Sequence, residues 1–239
     1  MEKIENNLIC RTLRNGTKKW YNKSKKLHRL DGPAIEFTSG SKHWYKNGKC
    51  HREDGPAIEG VSGDKHWYKE GKLHREDGPA IELASGNKYY YLNGFLHRDG
   101  GPAIERINGY NEYWLNDKRH REDGPSIEWE DGGKWWYKND KLHREDGPAI
   151  ERRDGVKEWW LNGERDRENG PAIEFPDGGK YWYKEGKLHR EDGPAIMLGD
   201  GKKQYWLNGC KISFLKFLYN FYNKKICDLR KLVLNGFKI

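Results

Sequence analysis

Apolar and polar positions along this chain fall into a pattern that returns every 23 residues. Gly-Pro stands at Gly32, Gly55, Gly78, Gly101, Gly124, Gly147, Gly170 and Gly193, always at that interval. An isoleucine follows each of these glycines by three residues, from Ile35 to Ile196. From the second copy on, two aromatics stand eleven and ten residues before the glycine: Trp44-Tyr45, Trp67-Tyr68, Tyr90-Tyr91, Tyr113-Trp114, Trp136-Tyr137, Trp159-Trp160 and Trp182-Tyr183. A further pair, Tyr205-Trp206, has no Gly-Pro after it. Self-similarity at a fixed period of this size marks a repeat architecture.

The elements of one period follow from its residues. KHWYK (42–46) is short and aromatic, the composition of a β-strand. Asn47-Gly48 follows, a pair that tolerates the positive φ of a tight turn. HREDG (51–55) carries the chain round. PAIE (56–59) resumes an extended path, with Pro first, where no ladder donor is lost. Ser62-Gly63, Asp131-Gly132 and Asp177-Gly178 close back to the next copy. Each unit is thus expected to be two short antiparallel strands and two turns. A lone hairpin cannot bury its aromatics, so stability must come from neighbours. The predicted fold is all-β: an elongated, single-sheet antiparallel meander, a solenoid-like repeat of 23-residue β-hairpin units, eight and a half of them over residues 18–209.

The two ends differ from this pattern. Residues 1–17 are polar and read as an irregular lead-in or a partial strand. Residues 210–239 turn apolar, with lysines. Ser213 stands where a helix N-cap belongs. Leu215, Leu218, Phe221, Tyr222, Ile226, Leu229, Leu232 and Val233 then follow helical spacing. This C-terminal α-helical segment is expected to cap the last open sheet edge, to seal a homodimer, or to lie as a basic amphipathic helix on an anionic membrane.

Composition taken alone points elsewhere. Charged residues make up 34% and the mean hydropathy is −1.14, values that lean toward disorder. Aromatics at 13%, with eleven Trp, argue against it because they recur at fixed places. The formal charge of +8 permits contact with nucleic acid or anionic lipid, yet 37 acids nearly match 45 bases. Cys10, Cys50, Cys210 and Cys227 form no CxxC pair and read as free thiols in a reducing, cytoplasmic setting. MEKIENNLIC has no apolar core of signal-peptide length, and no run of ~18 apolar residues spans a membrane. The sequons at Asn15 and Asn22 are therefore expected to be unused.

The unit, in copies such as WYKEGKLHREDGPAI (182–196), resembles the MORN repeat (membrane occupation and recognition nexus). That family's tryptophan column falls on Tyr45, Tyr68, Tyr91, Trp114, Tyr137, Trp160 and Tyr183. Its next glycine falls on Gly48, Gly71, Gly94, Gly163 and Gly186, with Asp117 and Asp140 in two copies. Its closing glycine falls on Gly40, Gly63 and their equivalents. The opening tyrosine and first glycine are mostly absent, and His43 and His66 hold the glycine column. The Gly-Pro-Ala-Ile signature resembles MORN variants abundant in large DNA viruses and some bacteria. The resemblance covers roughly residues 18–209 and implies a scaffold or adaptor, in a host cell or virion if the origin is viral. Lipid binding is claimed for some members of the family.

The motif HRED-Gly-Pro invites a catalytic reading, but a site is assembled once, and this motif recurs, in one spelling or another, in every copy. Histidine precedes the glycine by four residues at His28, His51, His74, His97, His120, His143 and His189, with Asp166 in the remaining copy. Rows ~10 Å apart cannot share one zinc. No HEXXH, GXSXG or P-loop is present. The expectation is no enzyme, no metal and no cofactor. Arg29, Arg52, Arg75, Arg98, Arg121, Arg144, Arg167 and Arg190 never vary and read as a structural ladder tying each unit's turn to adjacent acids.

Adjacent strand positions face opposite ways. The row with the family's tryptophan column is expected to be packed. The other row, Trp44, Trp67, Tyr90, Tyr113, Trp136, Trp159 and Trp182, shares its face with Lys42, Lys65, Lys88, Lys134, Lys157 and Lys180, a run that Asn111 breaks. This face is either a binding surface or a second buried row under lysine stems. The strand positions between, His43, Tyr89, Glu112, Trp135, Glu158 and Gln204, read as solvent-facing. The expected function is a non-catalytic scaffold that binds protein. The alternative is a binder of anionic lipid or nucleic acid through the lysine–aromatic face.

Overall fold

The computed structural model describes residues 2–5 and 8–234, an all-β antiparallel meander of repeated hairpins with one C-terminal helix. Two compact units divide the chain, Met1–Glu130 and Asp131–Ile239.

The second copy shows how the sequence makes one unit. Its strands are Lys42–His43, Tyr45–Lys46, Lys49–Cys50 and Ile58–Glu59. The expected aromatic strand is therefore split at Trp44, whose N–H donates to the Ala57 carbonyl at 2.8 Å. Before the split, Lys42–His43 pairs with Ile35–Glu36 on one side and Ile58–Glu59 on the other. After it, Tyr45–Lys46 pairs with Lys49–Cys50 in a small hairpin of its own. Each period from the second to the eighth supplies four two-residue strands, two to the main ladder and two to this side hairpin. The side hairpin closes on Asn47-Gly48, with φ of 52° and 84°. Two positive φ values define a type I′ turn, the one whose twist suits paired strands.

In Met1–Glu130 the ladder begins with Glu2–Glu5, Leu8–Thr12 and Lys18–Tyr21, so the N-terminal lead-in continues the sheet. In Asp131–Ile239 it runs from Lys134–Trp135 to Lys203–Leu207, which pairs in turn with Cys210–Ile212. The core is thin. Ala57, Ala80, Ala103, Ala149, Ala172 and Ala195 are wholly buried, and Ile104, Ile127, Ile150 and Ile173 nearly so.

Successive copies are joined at the side hairpins by a fixed set of bonds. Between the second and third, Gly71 N–H donates to the Cys50 carbonyl (2.8 Å) and Arg52 N–H to the Tyr68 carbonyl (3.3 Å). Glu70 N–H, in the next turn, donates to Nδ1 of His51 (3.1 Å).

The helix, Phe214–Leu234, is capped as expected: Lys216 N–H donates to Ser213 Oγ at 3.2 Å. Phe214 and Phe217 stack on Tyr205, with ring centroids 5.3 and 4.7 Å away. Lys224 reaches Glu191 of the last HRED loop. Leu215, Tyr219, Tyr222 and Ile226 are exposed. The side chains of Leu229, Leu232 and Val233, and residues 235–239, lie outside the described residues. No helix among the described residues is long and apolar enough to cross a membrane.

Candidate interaction surface

One face of the ladder belongs to the invariant arginine, the glycine it packs against and the aromatic beneath it. Arg52 folds back over its own copy. Its Nε donates to Asp54 at 2.9 Å, and its Nη1 to the Pro56 carbonyl at 3.2 Å and to Glu59 at 2.8 Å. The guanidinium carbon sits 4.1 Å from the centre of the Trp44 ring. Gly55 lies on the other side of that plane, where an added Cβ would come within 3.1 Å of the guanidinium carbon. A side chain at the glycine of Gly-Pro would therefore press on the guanidinium, which would have to give way. The stack recurs from Arg29 over Trp20 (4.3 Å) to Arg190 over Trp182 (4.0 Å), and Arg190, whose copy has Met197 in place of the glutamate, keeps the aspartate and the proline carbonyl. Arg98 and Arg167, whose copies carry Gly100 and Asn169 in place of the aspartate, keep the proline carbonyl and the glutamate. The guanidinium holds Asp54 below the usual carboxylate range, and the same holds for Asp77, Asp123, Asp146 and Asp192.

This geometry bears on two expectations. The acids that each arginine side chain bonds are those of its own copy, and the tie to the next copy is made by its backbone N–H. The aromatic row of Trp44 and Trp67 is half-buried beneath these guanidinium groups. Nor is the lysine row a free cationic stripe. Lys42 lies across from Glu36 and Glu59, Lys65 from Glu59 and Glu82, and Lys157 from Glu151 and Glu174. Ammonium and carboxylate alternate from strand to strand.

The histidines serve the joints between copies. Nδ1 of His28, His51, His74, His143 and His189 accepts the N–H of the first turn residue in the next copy, at 3.0–3.1 Å. Asp166 does the same for Glu185 N–H through Oδ2, at 3.0 Å. Apart from His97, whose Nδ1 faces Asn116 Oδ1 at 3.0 Å, these side chains supply an acceptor, which explains why aspartate can stand there.

The opposite face carries the isoleucines together with the residues read as solvent-facing. Those residues are half-buried, and Glu112 and Glu158 nearly wholly so. In register they neighbour the isoleucines: Ile58 lies between His43 and His66, and Ile173 between Glu158 and Tyr181. Burial lowers the pKa of His43 and His66 and raises those of Tyr45, Tyr68 and Tyr91. It also pushes the Cys50 thiol up to about 12. Glu112 and Glu158 are only 7% and 2% exposed. Glu158 is held by Arg152 at 2.6 Å, Arg165 at 3.1 Å and the indole N–H of Trp160 at 3.2 Å. The indole N–H of Trp114 binds Glu112 at 3.0 Å, with Arg106 3.8 Å away. The clue lay in covariation along the chain. Where the inward residue is Glu112, Glu158 or Gln204, the aromatic two places on is Trp, which can donate to it.

Neighbouring HRED loops leave open grooves between them. The one from His51 to Asp77 has a volume of about 770 Å³, and the grooves on either side of it have about 710 and 590 Å³. Their linings repeat the same residue types, in line with their place in the lattice. Among the described residues no group of three or more His, Cys, Asp or Glu is placed to hold a metal ion. The chain matches no family model and no curated protein.

Proposed function

We propose that the chain is a non-catalytic scaffold of MORN-like repeats that recognises a protein partner along its isoleucine-bearing face and the adjoining turns. The observation that carries this reading is where variation sits. Groups that are the same in every copy cannot tell one stretch of a partner from another. Here the invariant arginine, glycine and isoleucine, with the aromatic under the arginine, are occupied in building contacts. Variation gathers on the face of the isoleucines, above all at its turns: Phe37, Gly60, Leu83, Arg106 and Trp129 at one turn position, and the half-buried His66, Tyr89 and Trp135 in the strands. Val61 and Ile107 at these turns are 70% and 78% exposed, and Trp129 is 40% exposed. Exposed aromatics and arginines are the types that dominate protein interfaces. Anionic lipid or nucleic acid is disfavoured, because Lys42, Lys65, Lys88 and Lys157 of the other face each lie between two glutamates, and Lys180 beside one.

A pull-down from the native cell tests this. The full chain and Lys65→Ala/Lys88→Ala are expected to retain the same specific protein, and Val61→Asp/Ile107→Asp to lose it. Binding to liposomes or DNA that fades steeply with salt, and ignores the Val61 and Ile107 changes, would overturn the reading.

A further inference from the structure

The variable face carries, within Asp131–Ile239, one cluster unlike the copies beside it. Arg152 bonds one oxygen of Glu158 at 2.6 Å and Arg165 the other at 3.1 Å, and the Trp160 indole shares the second oxygen. The carboxylate is 2% exposed and its acceptor capacity is engaged. Two guanidinium charges thus meet one carboxylate, leaving a net positive charge. The donors are not used up. Arg165 bonds through Nε alone, and Arg152 through one Nη2 contact, so both Arg165 terminal nitrogens and Nε and Nη1 of Arg152 have no acceptor among the described residues. Their side chains are 35% and 48% exposed. The Arg165 plane is also fixed by aromatic rings, 4.6 Å from Trp160 and 5.6 Å from Tyr183. A fork held in place by a buried acid and two rings loses little freedom on binding, the condition for tight oxyanion recognition.

We infer that Arg152 and Arg165 form a docking point for one carboxylate side chain of the partner protein; this rests on the scaffold reading above. The surroundings define the segment further. In ladder register, Trp135 and Tyr181 each stand two strands from Glu158, on the same face. At ~4.8 Å per strand this is ~10 Å, or about three residues of a polyproline II chain at ~3.1 Å each, whose side chains return to one face every third residue. The fit is an acidic residue with an apolar residue three places to either side. A polyanion suits the site poorly, because it would lay its next charges over those rings.

The test uses the full chain and a labelled peptide with one glutamate and a leucine three residues to each side, followed by fluorescence anisotropy. Saturable binding is expected, about tenfold or more weaker when the peptide glutamate is glutamine. Removing both arginines would strand Glu158, so the control transplants the neighbouring copy: Arg152→Phe, Glu158→Tyr, Trp160→Tyr and Arg165→Leu, after Phe175, Tyr181, Tyr183 and Leu188. That variant keeps a side-chain set the lattice already accepts, and is expected to bind both peptides alike. Three results would overturn the inference: no binding of either peptide by the native chain, equal binding of both, or displacement of the peptide by inorganic phosphate at matching concentration. Each would leave the scaffold reading to the pull-down, which uses changes at other residues.

Discussion

The far turns of the first three copies and those of the later copies meet the same demand in two ways. In the first set the acceptor stands just after the glycine and reaches the next copy: Ser41 accepts Val61 N–H (3.2 Å), Asp64 accepts Ala84 N–H (2.7 Å) and Asn87 accepts Ile107 N–H (3.0 Å). In the later set it stands just before the glycine and closes its own loop. Asn108 accepts Tyr110 N–H, Asp131 that of Gly133, Asp154 that of Val156 and Asp177 that of Gly179, at 2.8–3.2 Å. A shift of two residues converts a tie between copies into a tie within one. The HRED edge shows no such split, since the arginine keeps its aromatic ring and its proline carbonyl in both regions. One edge therefore builds the array, and the other is free to vary.

The largest effect should come from the edge that the regions share. Gly78→Ala and Gly147→Ala each place a Cβ about 2.9 Å from the guanidinium carbon of Arg75 or Arg144. Expelling that group forfeits its stack on the ring and its bonds to aspartate, proline carbonyl and glutamate. A loss of about 2 kcal/mol is expected for each, matched by Arg75→Ala and Arg144→Ala. Thermal melts should give nearly equal losses in the two regions. A clear loss in only one would mean that the clasp does not set the stability of both.

Asp64 offers a change that should register in the first region alone. Asp64→Ala should speed hydrogen exchange at the Ala84 amide, one copy away, whereas Asp177→Ala should act at Gly179 in its own loop. Acid sharpens the contrast. The Ala84 N–H, and next the Ser62 hydroxyl, hold the Asp64 carboxyl below its ordinary range. A carboxyl depressed in the folded state adds stability above its unfolded value and loses it as pH falls through the folded one. The arginine-held aspartates behave alike, so the carboxylate share of stability should hold steady at ~pH 5–7 and fall below ~pH 4, on top of the loss below ~pH 6.5 that the half-buried, depressed His43 and His66 impose. Asp64→Asn keeps an acceptor without the titration. The pH-dependent shift of the Ala84 amide resonance should vanish in that variant, and its persistence would point to another carboxyl.

Much of this was legible in the sequence because it is periodic. The repeat length, the Asn-Gly turns at φ near 52° and 84°, the Ser213 cap and the helix all follow from local chemistry. What escaped reading depends on contacts between distant residues. Glu158 resembles a solvent-facing position until Arg152, in the preceding turn, and Arg165, across the side hairpin, are brought to it. The arginine, likewise, reads as a bridge to the next unit only while its own ring and glycine are not seen as a slot. The split at Trp44 has the same origin, because its N–H is drawn to the Ala57 carbonyl thirteen residues on.

The smallest expected effect concerns the face with the alternating charges, and the chain already contains the experiment in part. Asn111 stands where other copies have lysine, directly across from Glu105 and Glu128. Two carboxylates there flank an amide, whereas Glu59 has Lys42 and Lys65 on either side. Cross-strand pairs of opposite charge contribute only tenths of a kcal/mol when exposed, so Asn111→Lys should raise stability by about 0.5 kcal/mol or less. The gain should shrink as salt rises, because exposed pairs are screened. If Asn111→Lys instead created salt-sensitive binding to anionic vesicles, the glutamates would not be neutralising the row, and this face would regain its claim as a binding surface. A small gain in melting temperature with no such binding would place the lysines among the residues that build the array, leaving recognition to the face where the copies differ.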